Sequence, residues 1–131
     1  MNANDTPSPA ACALDTQALS RLRELDPTGS SRLLERVASA FLRSIDRLMP
    51  EMRVAASTTS SLAVIRHGAH TLKSSSASIG ALALSRRCAE IEHLAHAGQT
   101  ECLGPLLDRM QSDVEQVRMA LNLILAESQF R

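Results

Sequence analysis

One histidine in this chain stands among residues that make an imidazole chemically useful. His70 is followed by Lys73 and Ser74 and preceded by Arg66 and His67, three or four residues away in each direction. On a helix such spacings share one face, so these side chains form a single strip, which Ala63 and Ala77 extend. Ala69 and Leu72 belong to an apolar seam, and His70 lies about 200° round from Leu72 at roughly 100° per residue. The strip therefore faces outward. An exposed imidazole is largely unprotonated near neutral pH and is a competent nucleophile. Among cationic neighbours it is suited to carry an anionic group. A phosphoryl group brings close to two negative charges, and Lys73 can meet them with charge-assisted hydrogen bonds. Ser74 and Ala77 are short, which lets a partner come down close to the imidazole, as in-line phosphoryl transfer requires. On spacing alone, the same residues also read as ordinary solvated surface.

Other constellations compete. His67 and His70 make an HxxH pair, and His93 and His96 make another. If the two segments are antiparallel helices joined near Gly80, the pairs stand within roughly 5 Å in height, so a four-histidine zinc site is conceivable. Against it, ligands of bundle metal sites point inward, His93 lies about 200° from the apolar Ile91, and no ExxH pattern accompanies either pair. No metal site is expected. Ser74-Ser75-Ser76 offers hydroxyls without a supported base, and small residues at a helix crossing explain the run better. Cys12, Cys88 and Cys102 form an odd, unpatterned set with no CxxC, as in a reduced cytoplasmic protein. Cys88 reads as a core filler.

Holding the His70 strip outward requires a helix with a buried opposite face, and the hydropathy pattern supplies several. A short helix starts at Asp15 or Thr16, either able to cap its first turn, presents Leu19, Leu22 and Leu25, and stops at Asp26-Pro27-Thr28-Gly29. Leu34, Val37, Phe41, Ile45, Leu48 and Met52 mark a long second helix, with a kink or local break expected at Pro50. After a turn at Ser57-Thr58-Thr59-Ser60-Ser61, a third helix carries Leu62, Ile65, Ala69, Leu72, Ser76 and Ile79 and ends near Gly80. The fourth runs from about Ala81 to Ala97, with Leu84, Cys88, Ile91 and Ala95 inward, and closes at Gly98 in a left-handed cap. The fifth shows Leu103, Leu107, Met110, Val114, Val117, Leu121 and Ile124. No period-2 strand signal appears. The expected class is all-α: an antiparallel four-helix bundle with a short additional N-terminal helix.

Composition narrows the functions such a bundle can have. The 131 residues suit one domain with one core. Fourteen basic and fourteen acidic residues cancel, leaving no cationic track for nucleic acid or an anionic membrane. Aromatic content is 2 %, Phe41 and Phe130 alone, so there is no base-stacking platform. No apolar run approaches the roughly 20 residues of a membrane span. The N-terminus lacks the basic start and apolar stretch of a signal peptide. Residues 1–13 read as a flexible tail or linker, and 14–128 as the domain.

The literal string around His70 adds a resemblance. Residues 69–81 read Ala-His-Thr-Leu-Lys-Ser-Ser-Ser-Ala-Ser-Ile-Gly-Ala. This resembles the signature of histidine phosphotransfer (HPt) domains, Ala-His-x-Leu-Lys-Gly followed by small residues and Gly-Ala. His70 matches the phosphoacceptor, Lys73 the lysine three residues on, and Gly80 a structural glycine. Ser74 departs from the usual glycine but is still small. Leu14-Asp15, Phe41-Leu42 and Cys88-Ala89-Glu90-Ile91-Glu92 also stand in family-like positions, so the likeness covers roughly residues 14–125.

The resemblance implies a phosphorelay intermediate. His70 would take a phosphoryl group from a receiver-domain aspartate and pass it to another, with Lys73 stabilising its charge. Arg66, His67, Ser74, Ala77 and Arg87 would form the receiver docking face, with Arg86 beside it. It implies a phosphocarrier without ATP-dependent kinase activity, and no Gly-rich phosphate loop is present. Thr71 follows the histidine, where sensor-kinase phosphohistidines usually have Glu or Asp. No cofactor is expected on this chain, with Mg²⁺ lying in the partner receiver. The partners implied are receivers of response regulators or of a hybrid sensor kinase, with a monomeric chain, no nucleic acid and no membrane insertion. Placement is cytoplasmic, either alone or as the C-terminal part of a membrane-anchored sensor kinase. The alternative class is a non-catalytic helical adaptor docking a signalling partner through the same face.

Overall fold

The computed structural model describes residues 13–29, 32–57 and 62–129. The expected tail at 1–12 and the turn residues 58–61 lie outside them. Five helices follow in order: α1 Thr16–Glu24, α2 Leu33–Ser57, α3 Leu62–Ser78, α4 Leu82–His96 and α5 Leu103–Gln129. No strand occurs among the described residues. Helices α2 to α5 pack each on the next, and α5 packs back on α2, while α1 lies against α2. Arg53 of α2 pairs with Asp108 of α5, and Asp46 with Arg118. Later residues of α2 meet earlier ones of α5, so those helices run antiparallel.

The seams expected from periodicity form the core. Phe41, Ile45, Leu48 and Met52 meet Ile65, Ala69 and Leu72, with Leu84, Cys88 and Ile91 opposite, and Leu107, Met110, Val114, Val117 and Leu121 closing the ring. Leu34, Val37 and Ile124 are only partly buried at the rim. Ala13, assigned above to the tail, is instead buried against the core beside Leu14. Ser76 is fully buried in the α3 seam, and its Oγ has no hydrogen-bond partner.

Three local expectations are corrected. Leu25 is 75 % exposed rather than inward, because α1 is only about two and a half turns long and Leu25 stands at its C-cap, past the helix end. No break occurs at Pro50, and α2 runs through it to Ser57. Pro50 is exposed, so the carbonyl it leaves without a donor can turn to water. Asp15 does stand at the N-cap of α1, but its side chain makes no capping bond. Its backbone N–H instead donates to the Gly80 carbonyl at 2.7 Å.

That last bond ties α1 to the α3–α4 turn, and the turn depends on glycine. Gly80 has φ +83°, and an added Cβ would lie 2.9 Å from the Asp15 oxygen. The N–H of Ala81 reaches the Ser76 carbonyl at 2.8 Å and that of Gly80 the Ala77 carbonyl at 3.1 Å, a Schellman closure. Gly98 ends α4 the same way, with φ +75° and Gln99 N–H donating to Leu94. On the other side of α3, Gly68 lets α2 approach, since a Cβ there would sit 2.7 Å from Met52 side-chain atoms. The helix bearing His70 is thus held closely from two sides.

Candidate functional site: a histidine, a lysine and a shared carboxylate

The site lies where α3 and α4 face solvent together. His70 points outward, its side chain 64 % exposed, as its helical phase dictates. Its Nδ1 lies 2.6 Å from Glu92 Oε2 on α4. Lys73, one turn further along α3 and about half as exposed, donates from Nζ to the other Glu92 oxygen at 2.7 Å. Glu92 itself is only 21 % exposed. Ser85 pins the same turn of α3 from α4, its Oγ donating to the Lys73 carbonyl at 2.9 Å. The Lys73 ammonium holds the Glu92 carboxyl below the usual carboxylate range, and the His70 contact acts in the same direction, against an opposing effect of burial. An ionised carboxylate only accepts, so Nδ1 is the donor, and Nε2 of His70 has no protein partner among the described residues.

Glu92 is the residue that sequence reasoning missed. Its segment is family-like in sequence, but spacing alone gives it no role. Gly80 lies ten residues after His70 and twelve before Glu92, which puts the two within about 3 Å in height on antiparallel helices. That signal was available. The rotation of α4 that turns Glu92, rather than His93, toward His70 was not.

The other proposed site residues divide. Arg66, His67 and His70 line one shallow depression with Ala63 and Glu92. Ser74 and Ala77 are exposed on the same helix, and Ser74 offers its carbonyl to Ser78. Arg87 is not brought to this face. Its Nε donates to Asp113 of α5 at 3.0 Å, because it lies about 140° round α4 from Glu92. Arg86 is exposed.

The four histidines do not assemble as ligands. His93 and His96 line a neighbouring depression with Ala89, Glu92 and Arg66, and Arg66 donates to His96 Nδ1 at 3.1 Å. A guanidinium stands where a cation would have to sit. Among the described residues no three His, Cys, Asp or Glu converge as metal ligands. Cys88 is fully buried, and its thiol is pushed up to about 12 by burial, with Asp113 and Glu92 adding to it. It is a packing residue, as expected, and not a nucleophile.

Comparisons with known proteins bear on the family and the fold. A family model described as the Hpt domain matches residues 36–120, and the chain belongs to that family, the histidine phosphotransfer domains of two-component phosphorelays. The fold is similar to that of histidine-containing phosphotransfer protein B from Pseudomonas aeruginosa, at 26 % identity over 86 % of this chain and 94 % of that one, with a TM-score of 0.73. It is also similar to a histidine-containing phosphotransfer protein from maize, at 22 % identity over 93 % and 90 % of the two chains, with a TM-score of 0.81. No curated protein matches the sequence. No helix among the described residues is long and apolar enough to cross a membrane.

Proposed function

We propose that His70 is the phosphoacceptor of this phosphorelay domain, taking a phosphoryl group from a receiver aspartate and returning it to another. The observation that carries this reading is the geometry of one exposed imidazole: Nδ1 is held by Glu92 while Nε2 is open to solvent. Nε2 attacks the phosphorus of the aspartyl phosphate. The N–P bond forms as the P–O bond to the aspartate breaks, and the carboxylate leaves with the bonding electrons. The reverse sequence delivers the group to the next receiver. Lys73 Nζ spends one of its three donors on Glu92, which leaves donors for phosphoryl oxygens.

The face around His70 suits a receiver's acidic, Mg²⁺-bearing pocket. Arg66 and His67 border the imidazole, and the short Ser74 and Ala77 keep the approach along α3 clear. The domain needs no cofactor of its own for this role, because the energy of the bond is carried in by the aspartyl phosphate.

His70→Gln is the direct test. Incubated with a phosphorylated receiver, the variant is expected to take no phosphate while its helical circular dichroism matches wild type, since His70 holds no core position. Equal phosphorylation of the two proteins would overturn the assignment. Receiver binding and signalling output that survive the substitution unchanged would favour the adaptor class instead.

A further inference from the structure

We propose that Arg66 and His96 form a pH-operated latch beside the phosphoacceptor: neutral His96 holds the guanidinium away from His70, and protonated His96 releases it to the phosphoryl group. The inference rests on His70 being the acceptor and adds control by pH to that reading. Three observations carry it. Nη1 of Arg66 lies 3.1 Å from Nδ1 of His96, the last residue of α4. Arg66 borders both the depression that holds His96 and the one that holds His70. Both side chains of the pair are exposed, so packing fixes neither of them.

The chemistry follows from what each group can donate. A guanidinium has donors and no acceptor, so Nδ1 of His96 must offer its lone pair, with the ring proton on Nε2. The contact therefore exists only with a neutral ring, and imidazoles change charge between about pH 5 and 8. On protonation Nδ1 becomes a donor, the hydrogen bond is lost, and two cations face each other. Arg66 then turns to the other depression that it borders. A helical side chain leans toward the N-terminus of its helix, so His70 stands over the turn that bears Arg66. The guanidinium fork matches two oxygens of a phosphoryl group carried there. The charged and titratable groups facing the pair are Glu92 and His93 from α4 and His67 and His70 from α3. No residue of α2 or α5 lines either depression among the described residues. Both oxygens of Glu92 are engaged by His70 and Lys73, which leaves His96 as the partner of the guanidinium.

The experiment measures the rate of phosphoryl acceptance from a phosphorylated receiver at about pH 6 and about pH 8, with and without Arg66. Dividing the wild-type rate by that of Arg66→Ala at each pH removes the titration that the two proteins share. This ratio is expected to be about fivefold larger at the lower pH, the worth of one released hydrogen bond. His96→Gln has an amide oxygen that still accepts from Arg66 but does not titrate, and in that background the rise is expected to disappear. His96→Ala has no acceptor and is expected to show the high ratio at both pH values. A second readout is the ¹H–¹⁵N spectrum of the His96 ring, expected in the Nε2–H form at the higher pH, with its Nδ1 resonance moving in Arg66→Ala. The latch is overturned by a wild-type ratio that does not change with pH, or by a His96 ring protonated on Nδ1 at the higher pH. It is equally overturned by a rise of the same size in the His96→Gln background, which would assign the effect to His67, His70 or His93. If wild type is phosphorylated elsewhere than on His70, the reading of the acceptor fails instead, and the ring spectrum separates the two failures.

Discussion

Along the α2–α5 contact, Arg53 meets Asp108 at 2.8 Å and Arg118 meets Asp46 at 2.7 Å. Across the α3–α4 contact, Glu92 meets Lys73 at 2.7 Å and His70 at 2.6 Å. The distances are alike, but the surroundings are not. Asp108 and Asp46 are 69 % and 64 % exposed and serve one arginine each, so water and salt screen them and side-chain ordering offsets much of the gain. Glu92 is mostly covered and serves two donors on the facing helix. What separates these surface ion pairs from the candidate site is the sharing of one partly buried carboxylate, not the length of its bonds. The Arg87 pair stands between the two: Asp113 is as covered as Glu92, at 21 % exposure, but its bond to Arg87 turns that cation away from the His70 face.

The largest effect that tests this contrast is expected at Ser74. Ser74→Glu places bulk and a negative charge one turn from His70, on the side where a receiver must close, and transfer is expected to stop. Ser74→Gly should transfer normally, at a stability cost of roughly 0.5 kcal/mol. A Ser74→Glu variant that takes phosphate at the wild-type rate would show that the docking face lies elsewhere. Next comes Lys73→Ala. Removing a charge-assisted contact worth roughly 1.5–3 kcal/mol predicts acceptance ten- to a hundredfold slower in rapid-quench kinetics. An unchanged rate would pass the role to Arg66.

Gly80→Ala probes what holds the two helices in register. A left-handed non-glycine residue costs about 1–2 kcal/mol, and the new Cβ would also press on Asp15 and Ala18 at 2.9–3.0 Å. We expect a loss of about 2 kcal/mol or more in urea unfolding, with slower transfer as Glu92 shifts against His70. Wild-type stability would mean that the turn is less constrained than its geometry indicates. The smallest effect belongs to the other side of the bundle. Asp46→Asn and Asp108→Asn should each change stability by about 0–1 kcal/mol and leave transfer untouched. A large effect from either would erase the distinction between the two sides.

Helical phase is a local property, and for that reason most of the fold was legible before any tertiary contact was known. The seam through Ile65, Ala69 and Leu72 forced His70 outward wherever the bundle placed α3, and put Lys73 and Ser74 within a turn of it. Gly80 and Gly98 ended their helices because a positive φ is a property of single residues. Phe41, Ile45 and Met52 were core residues by spacing alone. Where local rules met their surroundings they lost some authority. Pro50 did not interrupt α2, because solvent could take the freed carbonyl, and Leu25 stayed exposed, because none of the described residues covers the end of α1.

The chemistry around His70 was legible only on its own helix. Sequence determined the outward face of the candidate nucleophile and the place of its cationic neighbour, since both follow from 3.6 residues per turn. Tertiary structure decided which residue of α4 would meet them. His93 and Glu92 are adjacent in sequence and differ by about 100° in direction, so a modest rotation of α4 would exchange one for the other. That rotation is set by how Leu84, Cys88 and Ile91 fill the shared core and by the turn at Gly80, which no single helix contains. It turned Arg87 toward Asp113 and brought Glu92 under both His70 and Lys73.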